Sequence, residues 1–182
     1  MSTIQIDNQK LEELILYICQ ESEGDRLFGA TKLNKVLFYT DFLSYLYRGK
    51  SITGQEYQAL PQGPAPRRLI PIKNNLQEKG RLIVKEVEFH GYHQHRPIAL
   101  ATPDLSMFDG NEIAIVHEVI EALWGLNATD VSRLSHRFIG WELAEEGETI
   151  PYEVALISNR EPTLGERRRM RELEQLAAKY TN

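Results

Sequence analysis

A chain of 182 residues, 42% hydrophobic and 26% charged, can bury one core but is short for two, so a single domain with small appendages is expected. The formal net charge of -5 disfavours whole-molecule attraction to nucleic acid or anionic lipid, which needs clustered Lys and Arg with little acid nearby. One cysteine, Cys19, rules out an intramolecular disulfide or a cysteine zinc cage; no stretch has the apolar length of a membrane span, and Met1 to Lys10 lacks a signal-peptide layout, so a cytoplasmic protein is expected.

In chain order, Asp7 is placed to cap a helix carrying Leu11, Leu14, Ile15, Ile18 and Cys19 at helical spacing, ending near Gly24 and Asp25. Thr31 is the expected cap of the next helix, where Leu33, Val36, Leu37, Phe38, Tyr39, Phe42 and Leu43 put apolar residues on nearly every face. A helix of that kind packs on several sides and is central, and Gly49 suits the left-handed position that closes it. Lys35 and Asp41 are six residues apart and cannot face the same way, so one is expected to be buried in a hydrogen-bonded role and the other exposed. From Ser51 to Pro66 the crowding of Gly54, Pro61, Gly63, Pro64 and Pro66 predicts an ordered loop with a short extended piece.

Pro66 fits the first position of a helix running to Lys79, and Pro71 predicts an irregular start or a kink in it. Between Arg81 and Thr102 the period becomes two: Leu82 and Val84 on one strand, Ile98 and Leu100 on another, joined through His90 to Arg96 in a β-hairpin. A lone hairpin is marginal in water, so one face must pack on the helices. Asp109 and Glu112 form a capping box for a helix with Ile113, Val116, Ile120, Leu123 and Trp124; Thr129 is the expected cap of a shorter one. After Gly140 come a turn at Trp141 to Glu146 and an apolar piece opened by Pro151. Thr163 and Glu166 form a second capping box, leading into a last helix with Arg167, Arg168, Arg169 and Arg171.

The expected fold class is α+β, mainly α: a compact helical domain around a central apolar helix, with a small antiparallel hairpin or sheet packed on it. The expected division is 1–160 as the domain and 161–182 as an arginine-rich helical appendage.

Sequence signatures of catalysis are missing: no phosphate-cradling Gly loop, no Gly-x-Ser-x-Gly, no His-Glu-x-x-His. No catalytic residue, cofactor or metal is expected. His90, His93 and His95, with Glu88, are the one cluster that could serve a small metal-dependent hydrolase; a polar hairpin tip is the preferred reading. The arginine run reads as solvated helix surface, and autonomous nucleic-acid binding is disfavoured. For His136 and Trp141 the expectation is a tryptophan anchoring two segments beside a hydrogen-bonded histidine.

Three blocks stand in order: Lys32-Leu-Asn-Lys-Val-Leu-Phe-Tyr-Thr-Asp-Phe42, Gly49-Lys-Ser-Ile-Thr-Gly-Gln-Glu-Tyr57 and Ala59-Leu-Pro-Gln-Gly-Pro-Ala-Pro66. Together with Leu134-Ser-His136, Trp141 and Ile150-Pro-Tyr152 they resemble the Panacea, or SocA-like, antitoxin domain, over roughly Leu11 to Ile157. The resemblance implies an antitoxin of a bacterial or phage toxin-antitoxin pair that neutralises a cognate protein toxin by direct binding. It leaves two other roles open, an adaptor delivering its toxin to the ClpXP protease and a phage-associated regulator. The expected partner-binding residues are Lys35, Tyr39, Asp41, Tyr57, Pro61, Gly63, Pro64, Pro66 and Arg67, on the loop and the adjoining central helix, with the hairpin and terminal helix as the alternative surface that sets partner choice; His136 and Trp141 are structural family positions. The competing reading is that Tyr57, Pro61, Gly63 and Pro64 hold the loop against the core.

Overall fold

The computed structural model describes residues 5–89, 91–157 and 168–169. Helix α1 (Asn8–Glu21) starts where expected, with the Asp7 carboxylate accepting from Lys10 N. Helix α2 (Ala30–Arg48) is the axis of the fold, and Gly49, at φ 71°, closes it in the left-handed conformation. Its cap is not Thr31 but Gly29, which offers no side-chain acceptor; Thr31 lies inside the first turn.

Strands β1 (Tyr57–Gln58) and β2 (Ala65–Pro66) follow, so Pro66 ends a strand rather than starting a helix. Helix α3 (Leu69–Glu78) begins three residues later. Pro71 falls in its first turn, where backbone N–H groups have no intrahelical acceptor, and the missing donor therefore costs nothing there and forces no kink.

The hairpin pairs β3 (Leu82–Phe89) with β4 (Tyr92–Ala99), Leu82 opposite Ala99 and Glu88 opposite His93. The turn is shorter than expected: His93 and His95 lie on β4, while Leu100 falls just beyond it. Helix α4 (Gly110–Leu123) carries the Asp109–Glu112 capping box in full. Helix α5 (Ala128–His136) is capped by the Asn127 side chain two residues before Thr129, and α6 (Ile139–Glu142) adds a single turn. Strand β5 (Thr149–Ile150) then pairs with β1, making a small antiparallel sheet ordered β2-β1-β5, and a 3-10 segment covers Tyr152–Leu156.

This is a mainly α member of the α+β class, with two apolar clusters meeting at α2. Leu11, Leu14, Ile15, Leu33, Leu37, Val116 and Ile120 belong to the larger one, between α1, α2 and α4. Phe38, Phe42, Tyr57, Ile150 and Tyr152 form an aromatic one between α2 and the small sheet. The Phe42 and Tyr152 ring centroids lie 4.7 Å apart, and Phe38 meets Phe138 edge-on at 5.1 Å. Among the described residues no helix is long and apolar enough to cross a membrane. Arg168 and Arg169 are helical and exposed; His90, the Thr163–Glu166 capping box, Arg160, Arg167 and Arg171 lie outside the described residues.

Candidate functional site

Two buried charged residues of α2 fasten the loop between α2 and α3 to that helix, beside Ser44, whose Oγ donates to the Lys50 carbonyl at 2.8 Å. Asp41 is fully buried. Its Oδ1 accepts from the backbone N of Ile52 and of Thr53, each at 2.8 Å, and its Oδ2 accepts from the Thr53 hydroxyl and the Tyr57 hydroxyl. Burial pushes this carboxyl upward, while its four donors favour the ionised form. The Tyr57 hydroxyl also lies 2.9 Å from the Leu37 carbonyl, so its one proton chooses between two acceptors. From the far end of the chain the Tyr152 hydroxyl donates to the Gln55 carbonyl at 2.7 Å.

The second fastener is Lys35, 1% exposed, whose Nζ donates to the Pro64 carbonyl at 3.2 Å. Burial without a carboxylate beside it lowers this amine to about 7. Gly63 sits directly against it at φ 97°; a Cβ there would come within 2.7 Å of Lys35 Nζ and 2.2 Å of Ser135 Oγ. Glycine is thus required twice, by backbone conformation and by space. The expectation that only one of Lys35 and Asp41 is buried is corrected here. Helix α2 is covered by α4 and α5, by the small sheet and by the Tyr152–Leu156 segment, so both of its faces look inward.

The apex between these fasteners points outward. Gly63 N donates to the Leu60 carbonyl at 2.8 Å, closing a turn in which Pro61 and Gln62 are exposed. Trp141 Nε1 donates to that same Leu60 carbonyl at 2.9 Å, and the His136 ring stacks on the indole at 3.8 Å with an interplanar angle of 10°. Trp141 therefore does anchor two segments. His136 departs from expectation: it is held by stacking, and its buried Nε2 has no hydrogen-bond partner among the described residues.

The partner-binding residues expected from sequence separate by exposure. Lys35, Asp41, Tyr57, Gly63, Pro64 and Pro66 are buried, Tyr39 is half-buried, and Pro61 and Arg67 are exposed. Arg67 also braces the sheet, with Nη1 donating to Gln58 Oε1 and Nη2 to the Gly147 carbonyl and Thr149 Oγ1. Burial raises the Tyr39 hydroxyl to about 12. Thr53, Ser135 and Ile150 also belong to the arrangement; they fall inside the blocks that carry the family resemblance, but their individual roles are set by partners elsewhere in the fold, Asp41 for Thr53, the Gly63 turn for Ser135 and Tyr57 for Ile150.

A groove of about 390 Å3 opens beside the apex, between Pro61 and Gln62 on one side and Thr31, Thr129, Ser132, Arg133 and His136 on the other. A second hollow, about 440 Å3, lies between α1 and β4 and takes no residue from the apex. It borders Cys19, whose thiol burial pushes up to about 12, so the thiolate form is suppressed. On the hairpin, His93 faces Glu88 at 3.9 Å and His95 faces Glu86 at 3.8 Å, with all four side chains mostly exposed. Among the described residues no three His, Cys, Asp or Glu side chains converge to hold a metal ion. Lys35 and Ser135, which both border Gly63, are sealed from solvent, with Ser135 Oγ donating to the Ser132 carbonyl.

The model of the family described as "Antitoxin SocA-like, Panacea domain" matches residues 33–142, more than half of the chain. The chain belongs to this family. Neither curated proteins nor solved structures yield a match. The matched stretch of this Panacea-domain protein runs from α2 through the loop and hairpin to α6, and holds both fasteners, the apex, His136 and Trp141. Ile150 and Tyr152, which complete the aromatic cluster, lie beyond it, as does the Tyr152 hydroxyl bond to Gln55.

Proposed function

We propose that this antitoxin-family protein neutralises a cognate protein toxin by direct contact, through the Pro61–Gln62 apex and the groove beside it. The observation that carries the proposal is the contrast between a braced base and an exposed tip. Buried Lys35 and Gly63 and half-buried Trp141 hold Leu60 to Pro64 in place, and buried Asp41 and Tyr57 hold the segment leading into it, while Pro61 and Gln62 stand in solvent. A loop held in one conformation before binding loses little entropy on association, so more of its contact energy goes into affinity. In this proposal Pro61, the exposed edge of Tyr39 and Arg67 face the toxin. Lys35, Asp41, Tyr57, Gly63, Pro64 and Pro66 act behind them by fixing the apex.

The test is co-expression with the product of the adjacent gene in a bacterial host. That product alone should arrest growth, and this protein should relieve the arrest. The variants Pro61→Glu and Gln62→Arg, both at exposed positions, should lose the relief while keeping the melting temperature of the parent. Relief that survives both changes would move the contact elsewhere, and a set of neighbouring products none of which is toxic alone and relieved here would end the antitoxin proposal. Toxin abundance separates two routes: it stays level under neutralisation by contact, and falls under delivery to a protease such as ClpXP.

A further inference from the structure

We infer that the groove beside the apex receives a carboxylate side chain of the partner protein. The inference rests on the proposed contact surface and names the chemistry that fits it. In a chain of net charge -5, the residues lining this groove include no carboxylate and one guanidinium, that of Arg133. Around it stand the hydroxyls of Thr31, Thr129 and Ser132 and the amide of Gln62, all able to donate to an anionic oxygen. A guanidinium presents paired N–H groups that match the two oxygens of a carboxylate. The wall is completed by His136, whose ring is fixed on Trp141.

Arg133 does have a carboxylate now, that of Asp130 on the same helix, at 3.3 Å. The pair is largely exposed, the Arg133 side chain at 65% and that of Asp130 at 39%, and such surface pairs hold weakly. Asp130 is therefore a competitor that an incoming carboxylate displaces, and removing it should strengthen binding rather than weaken it. That sign separates a receiving site from a helix salt bridge with no further role.

The probe is sodium acetate, titrated into the isotopically labelled full chain at constant ionic strength and followed by amide and imidazole NMR. Saturable shifts are expected at Thr129, Ser132, Arg133 and His136. In Arg133→Gln the acetate affinity should fall about fivefold, the scale of a partly exposed charge pair, and in Asp130→Asn it should rise. Both changes are at exposed or partly exposed positions and leave the core intact. Absence of saturable shifts at these residues, equal shifts from methylguanidinium, or saturation by inorganic phosphate without saturation by acetate would each overturn the inference. So would a change in the same direction for both variants. The titration needs no toxin: a failure here with growth relief intact removes only the carboxylate assignment, whereas loss of the antitoxin proposal shows first in the co-expression.

Discussion

Asp41 and Lys35 are two buried, oppositely charged residues of one helix, and each fastens one half of the same loop, yet they are satisfied very differently. Asp41 meets four donors, two backbone and two hydroxyl, whereas Lys35 meets one carbonyl. A buried carboxylate with its acceptor positions filled works as a hub whose loss strands most of the donors around it. A buried ammonium with a single acceptor is a liability that the fold tolerates because the amine can release its proton near neutrality. The comparison teaches that the first half of the loop is bound by a saturated network, and the second half, which carries the exposed apex, by shape and a weaker anchor.

Asp41→Ala is the sharpest way to break the contrast, since it leaves the Ile52 and Thr53 amides and the Thr53 hydroxyl without an acceptor, while the Tyr57 hydroxyl keeps the Leu37 carbonyl. Urea unfolding should show a loss of about 4 kcal/mol, and Asp41→Asn should recover only part of it. Next is Gly63→Ala, which combines a left-handed backbone with a Cβ driven into Ser135 Oγ and Lys35 Nζ. A loss of about 3 kcal/mol is expected. Adding Ser135→Ala should return the Ser135 part of the steric share and leave the Lys35 contact and the backbone share.

Lys35→Met tests the weaker anchor through pH. Unfolded Lys35 keeps its proton to about pH 10.4, whereas the folded amine releases it near 7. Between those values the unfolded state binds more protons, so this group makes stability rise with pH; below 7 both states are charged and the burial cost is complete. Lys35→Met should therefore be more stable than the parent at pH 6, by about 2 kcal/mol after allowing for relaxation and the lost Pro64 hydrogen bond. The gap should shrink steadily between pH 7 and 10, and denaturation curves across that range that run parallel would refute the assignment. Trp141→Phe removes one donor from the Leu60 carbonyl and should cost about 1 kcal/mol, with growth relief reduced more than stability. Smallest of all, Glu88→Gln on the exposed hairpin should change stability by less than about 0.5 kcal/mol.

Much of the scaffold could be read from local pattern. Asp7, Gly49 and the Asp109–Glu112 box stand at the helix ends they mark, because a cap needs only residues within a turn of itself. The central place of α2 followed from apolar residues on all its faces. Where competing local signals were close in sequence, the structure chose the other one: Gly29 over Thr31, Asn127 over Thr129, and Leu69 over Pro66 as the start of α3. The hairpin turn was placed too wide because a polar run of histidines resembles a loop, while their alternation along β4 shows only once β3 is laid beside it.

The sequence by itself therefore determined helices α1 to α5, the hairpin and the family blocks, since periodicity and spacing are properties of neighbours. Only the tertiary structure decided that Lys35 and Asp41 are both buried, that β5 completes a sheet with β1, and that the His136 ring lies flat on Trp141. It also decided which of the motif residues reach solvent. The physical reason is the same in each case: burial and pairing are set by segments far apart in the chain, and six residues along a helix can point two side chains to opposite sides that are both interior.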